Sequence, residues 1–230
     1  MLAPLLLWTL LLPLQAADPL EKYRVSAVQE WEDEIQELEE LDRKQTDPAQ
    51  GVLFIGSSSI RMWDDIATDM APYSTIRRGY GGAKFSDVAV YIDRLLAQHT
   101  PSAIVLFAAN DISGGDHDKQ PQEVLRLVEI TVGKIQQLKP GVPIFLIAVT
   151  PTPSRFKVWE PIKQVNALIA EYCHDTEGVF YIDTASSYLD AQGEPIEDYF
   201  IADRLHQNRT GYQLWSRIIK AALQPVLQSR

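Results

Sequence analysis

The sequence is short of several things, and each shortage removes a class of protein. One cysteine, Cys173, stands among 230 residues, so no disulfide can form within the chain. Cys173 lies between apolar helix positions and reads as a small buried hydrophobe. An excess of basic charge is missing: 21 Lys and Arg face 31 Asp and Glu, a formal net charge of −10. That speaks against nucleic acid or an anionic membrane surface as partner, since both select basic patches. Histidines number four. His99 and His174 fall near helix ends and read as solvated or dipole-stabilising. His117, in "GGDHDK", has no second histidine at ligand spacing, so no metal is expected. No Walker motif is present, and "GSSS" at 56–59 lacks the lysine of a phosphate loop. No cofactor is implied. Internal repeats, low-complexity tracts and an interdomain linker are also absent.

Long apolar runs are missing too, apart from residues 1–17, "MLAPLLLWTLLLPLQAA". That run carries no charge and is too short for a comfortable transmembrane span. It ends in Ala16 and Ala17. It reads as a signal peptide cleaved near those residues, although its start lacks Lys and Arg. An uncleaved anchor is the alternative reading. The expectation is a secreted or periplasmic protein with no stable membrane span after cleavage.

What is present is a rhythm. After Asp18-Pro19, which suit an N-cap and a first helical proline, Leu20, Tyr23, Ala27, Trp31, Ile35 and Leu38 mark one helix face. The opposite face is crowded with acids, "EWEDEIQELEELD", and reads as solvated. Short apolar runs then alternate with amphipathic segments. The runs are 52–55, 74–78 (the weakest), 103–108, 143–149 and 179–182. Helical patterns lie near 60–70, 86–98, 121–139 and 159–173, and a last helix follows Gly211. Nearly all-apolar strands separated by helices imply a parallel sheet covered on both faces. The fold class is therefore a three-layer α/β/α sandwich with about five parallel strands. One domain is expected over 18–230, an acidic amphipathic helix at 18–46 preceding a core at 50–230. The hydrophobic content of 46% suffices for one sizeable core.

Open parallel sheets bind ligands beyond the carboxyl ends of their strands. The segments there are Gly56-Ser57-Ser58-Ser59, "GYGG" at 79–82, Asn110-Asp111, "TPTPSR" at 150–155 and, before the last helix, "DRLH" at 203–206. A serine becomes a nucleophile only with a base. Histidine is the usual base, and a carboxylate fixes its tautomer. Asp203 and His206 are close enough in sequence for one tight turn to join them. Backbone N–H groups at Ser58 and Gly82 and the amide of Asn110 could meet an oxyanion.

These segments resemble the four blocks of the SGNH hydrolases, the GDSL-type lipase/esterase family. "FIGSSSI" looks like the first block, "GYGG" the second, "AAND" the third and "DRLH" the last. The resemblance covers residue 50 to the C-terminus and implies a flavodoxin-like sheet. It implies Ser58 as nucleophile, Asp203 and His206 as its partners, and Ser58, Gly82 and Asn110 as the oxyanion hole. Ser57 and Ser59 are left as turn and helix-start residues. Two positions depart from the pattern: Ser57 replaces the family's Asp, and Ala108 stands where Gly is usual.

The implied activity is exported hydrolysis of a short acyl ester, acetyl above all, on a small molecule or glycan. Trp63, Tyr80, Arg155 and Trp159 near the strand ends suit a sugar ring, or the tryptophans simply pack helix on sheet. The same constellation would also serve an O-acyltransferase, a lysophospholipase-like esterase or a non-catalytic binding module.

Overall fold

The computed structural model describes residues 18–228. The expected leader over 1–17 lies outside them. Five strands form one sheet: β1 (Val52–Gly56), β2 (Thr75–Gly79), β3 (Ala103–Phe107), β4 (Ile144–Ile147) and β5 (Val179–Ile182). Their order is β2-β1-β3-β4-β5, and every pairing is parallel. This is the flavodoxin-like order, whose switch point lies between the first strand and the third.

Alternation along each strand divides the core in two, because successive side chains point to opposite faces. Leu53, Ile55, Ile104, Leu106, Ile144 and Leu146 face one side. There they meet α1 (Glu21–Lys44), α4 (Phe85–Leu96), α5 (Pro121–Leu138) and α6 (Trp159–Asp175). Val52, Phe54, Val105, Phe107, Phe145 and Ile147 face the other side. They meet α2 (Ser58–Arg61), α3 (Ile66–Asp69) and α7 (Arg209–Leu227). Both faces being covered is why β1 and β3 are buried along their whole length.

Several boundaries differ from the sequence pattern for local reasons. The expected helix near 60–70 is two short ones. The chain turns between them so that Trp63 enters the second core, where its Nε1–H donates to Asp69 at 2.8 Å. The last helix begins at Arg209 rather than past Gly211. Asn208 caps it by accepting the N–H groups of Thr210 and Gly211. α1 begins at Glu21, because the Asp18 side chain accepts the Leu20 N–H in the preceding turn.

The acidic face of α1 is not simply solvated. Glu32 and Glu39 grip Arg94 of α4. Asp42 pairs with buried Arg78 of β2, and Glu34 accepts the Gly81 N–H at 2.8 Å. His99 is also not solvated: it is 2% exposed, with Nδ1 2.7 Å from Asp47. His174 does lie at the surface.

Candidate active site

β1 ends at Gly56, which lies tight against β3: a Cβ there would overlap the Phe107 carbonyl oxygen. The Ser57 N–H still bonds that carbonyl at 2.9 Å, so the ladder runs to the last residue before the turn. Ser58 then opens α2. A first-turn backbone N–H has no acceptor in its own helix. Ser58 therefore brings a hydroxyl and an amide to the sheet edge together.

His206 comes to the same edge from the segment between β5 and α7. Its Nε2 lies 2.9 Å from Ser58 Oγ, across 148 residues of sequence. Its Nδ1 lies 2.7 Å from Asp203 Oδ2. Asp203 Oδ1 accepts the backbone N–H groups of Leu205 and His206, both at 2.9 Å. One carboxylate thus folds the turn and orients the ring. Burial acts to raise the Asp203 pKa, but bonds from the His206 ring and these two N–H groups outweigh it and hold the carboxyl below its ordinary value. An ionised Asp203 accepts the Nδ1–H, which leaves Nε2 bare to accept the Ser58 hydroxyl.

Asn110 follows β3. Its Nδ2 donates to the Ala83 carbonyl at 3.0 Å, and its Oδ1 accepts from Arg155 at 2.8 Å. Arg155 also donates to the Ala109 carbonyl at 2.8 Å. These bonds fix which way the amide faces and leave one Nδ2–H for another acceptor. Gly82 is its neighbour: a Cβ at Gly82 would stand 3.9 Å from Asn110 Nδ2, with nothing nearer. A Cβ at Gly82 would also stand 3.9 Å from the Trp31 ring, so the residue sits between Trp31 and the Asn110 amide.

The adjacent Gly81 is crowded, and a Cβ there would fall inside the Trp31 ring. Asp111 anchors the same loop by accepting the Phe85 N–H at 2.8 Å and pairing with Lys119 at 3.0 Å. Burial pushes the Asp111 pKa up.

Ser58, Asn110, Thr150, Thr152, Arg155 and His206 share one cavity of about 30 Å³. All five residues singled out in the sequence therefore fall at one edge of the sheet. What the sequence did not show is the support behind them. The Arg155–Asn110 bond, the Asp111 anchor and the contacts of Glu34 and Trp31 with Gly81 join residues far apart in the chain. Of these, Gly81, Asp111 and Arg155 stood in strand-end segments, and Glu34 and Trp31 gave no hint of their contacts there. Trp63 and Tyr80 are 0% and 1% exposed and Trp159 is 8% exposed. They pack between helix and sheet and offer no face to a sugar ring.

A sequence model of the GDSL-like Lipase/Acylhydrolase family matches residues 50–214. The chain belongs to this family. As an acylhydrolase it acts on ester bonds. Solved structures share its fold at low identity. One from Streptococcus pneumonia, named for platelet activating factor, superposes with a TM-score of 0.75 at 22% identity, over 87% of this chain and 95% of its own. One from Bacteroides fragilis, assigned as an acylhydrolase, gives 0.72 at 20%, over 84% and 96%. A family 3 carbohydrate esterase from Talaromyces cellulolyticus gives 0.60 at 17%, over 78% and 99%. No curated protein sequence matches the chain. Among the described residues no helix is long and apolar enough to cross a membrane, and no cluster of His, Cys, Asp and Glu could hold a metal.

Proposed function

We propose that this acylhydrolase is an exported serine esterase that removes short acyl groups, acetyl first among them, from a polar alcohol such as a sugar. The observation that carries the reading is the relay Ser58–His206–Asp203, at 2.9 and 2.7 Å, opening onto a cavity of about 30 Å³. A single water needs roughly 10–15 Å³, so the space beside Ser58 favours a group as small as acetyl. Export rests on the leader-like composition of residues 1–17. The sugar rests on the name of the Talaromyces cellulolyticus neighbour alone, because the buried tryptophans lend it nothing.

In the proposed reaction Ser58 Oγ attacks the ester carbonyl carbon while His206 Nε2 takes the hydroxyl proton. The carbonyl oxygen gains the negative charge. It is met by the Ser58 and Gly82 backbone N–H groups and the free Nδ2–H of Asn110. Collapse breaks the ester C–O bond, and His206 returns its proton to the leaving alcohol. Water, deprotonated by the same imidazole, then cleaves the acyl-serine. Asp203 stays ionised and holds the imidazolium in place.

The test is labelling with a fluorophosphonate, together with acetate release from acetylated xylan. Wild-type protein should label and release acetate, and Ser58→Ala should do neither. Labelling that persists in Ser58→Ala would refute the assignment. Acyl transfer to an added alcohol in preference to water would make the protein a transferase.

A further inference from the structure

Most of the arginines have a carboxylate partner. Arg78, whose side chain is 4% exposed, is held by Asp42; Arg94 is held by Glu32 and Glu39, and Arg209 by Asp69. Arg155 differs. It is largely withdrawn from solvent at the cavity wall, yet it forms no ion pair among the described residues. Burial pushes its pKa down, and the one charge that opposes this is Asp118, which is not in contact with it. Its two bonds go to neutral oxygens, the Ala109 carbonyl and Asn110 Oδ1. Further guanidinium N–H groups and the positive charge are left for another acceptor. A half-buried cation without a counter-ion favours an anion beside it.

Two more groups beside it lack partners. Thr150 and Thr152 are 6% and 7% exposed, and both line the cavity. Their Oγ1 atoms are buried and make no hydrogen bond. Native proteins rarely leave such hydroxyls unpaired. All three residues come from the one segment after β4, "TPTPSR", and the proposed hydrolysis uses only the Arg155 bond to Asn110.

We infer that Thr150, Thr152 and Arg155 form a subsite for an anionic oxygen-bearing group of the substrate, a carboxylate or a phosphate, held beside the ester that Ser58 attacks. An anion supplies the missing counter-charge and accepts from both hydroxyls and the guanidinium fork. A neutral polar group would satisfy the hydroxyls but leave the charge unmet. The inference rests on the esterase reading of the same cavity, and it narrows the substrate to an ester that carries a negative charge close to its carbonyl. An acetylated acidic sugar is one such molecule.

The experiment compares matched esters. On the acyl side the pair is the p-nitrophenyl hemiester of succinate against p-nitrophenyl butyrate. On the alcohol side it is acetoxyacetate against acetoxyacetamide, with 2-acetoxyethyl phosphate as the phosphate arm. In one of these comparisons the anionic member should have the higher kcat/KM by about tenfold or more, as a charge-assisted bond to the Arg155 guanidinium implies. Arg155→Met should remove that preference, and Arg155→Lys should retain part of it. Thr152→Val should lower that preference by a smaller factor. An Arg155→Met variant that slows anionic and neutral esters equally would reduce Arg155 to a positioning residue for Asn110 and overturn the proposal.

Failure of every ester would strike the esterase reading instead, and binding then decides the subsite. Succinate or inorganic phosphate should raise the thermal midpoint of Ser58→Ala protein, and Arg155→Lys or Thr152→Val should weaken that rise. No rise with either anion would overturn the subsite.

Discussion

Ser57, Ser58 and Ser59 are chemically alike and differ in where the strand end puts them. Ser57 is 1% exposed, and its N–H is spent on Phe107. Ser58 alone of the three meets His206. Ser58→Ala should therefore abolish turnover, while Ser57→Ala and Ser59→Ala keep substantial activity. A dead neighbour beside an active Ser58→Ala would move the nucleophile. Asn110 carries a second prediction at this scale. With Arg155 on its Oδ1 and Ala83 on one Nδ2–H, its remaining N–H is left for the proposed oxyanion. Asn110→Ala should lower kcat by roughly 10²–10³ at nearly constant KM, the loss expected for one oxyanion donor. A raised KM at unchanged kcat would make it a ground-state contact instead. Ser58, Gly82 and Asn110 could be singled out because each follows a strand, and Asp203 and His206 because they stand shortly before the last helix. The direction Asn110 faces was not legible, because its partner Arg155 arrives from another strand.

At the scale of elements, what could be read followed burial. β1, β3 and β4 are covered on both faces, so they appear as unbroken apolar runs. β2 was the faintest strand because it lies at the sheet edge and carries Arg77 and Arg78, each neutralised by an acid from elsewhere. The acidic face of α1 misled for the same reason. Its charges look surplus until Arg94 is placed opposite, and nothing local announces a partner more than fifty residues away. That clasp has a measurable consequence. Glu32 is held at about 2 by hydrogen bonds from Arg94 first, then Gln36. A carboxylate whose pKa falls on folding stabilises fully above its unfolded value, 4.5 here, and the contribution fades as pH drops toward 2. Glu32→Gln should cost at most about 1 kcal/mol at pH 7 for so accessible a pair, a fall in Tm of about 2–4 °C. The gap from wild type should shrink by pH 3. A gap that stays constant from pH 7 to 3 would mean that Glu32 acts by packing and not by charge.

For the molecule as a whole, the proposed preference for short acyl groups turns on how the two cores close around the sheet edge. Each buried methylene favours binding by about 0.8 kcal/mol, but only where there is room. The cavity at Ser58 has about 30 Å³ and ends against Ala109, Val149 and Ile162. Beyond that wall lies a second, apolar cavity of about 10 Å³, lined in part by the same three residues. Outside, the large apolar side chains that are exposed among the described residues are Val25, Val28, Leu138 and Ile201, and only Ile201, whose N–H bonds the His206 carbonyl, adjoins the site. On the proposed short-acyl reading, a long chain gains little from this site. Across p-nitrophenyl acetate, butyrate, octanoate and palmitate, kcat/KM should be highest at the short end and fall by octanoate. The wall itself can be tested. Ile162 is 3% exposed and lines both cavities, so Ile162→Ala should enlarge the space at Ser58. It should cost about 2–5 kcal/mol of stability and move the chain-length optimum from acetate toward butyrate or beyond. If stability falls while the optimum stays at acetate, the acyl group does not lie against Ile162. If wild-type kcat/KM instead climbs toward palmitate, the short-acyl reading fails, while the Ser58 chemistry is untouched.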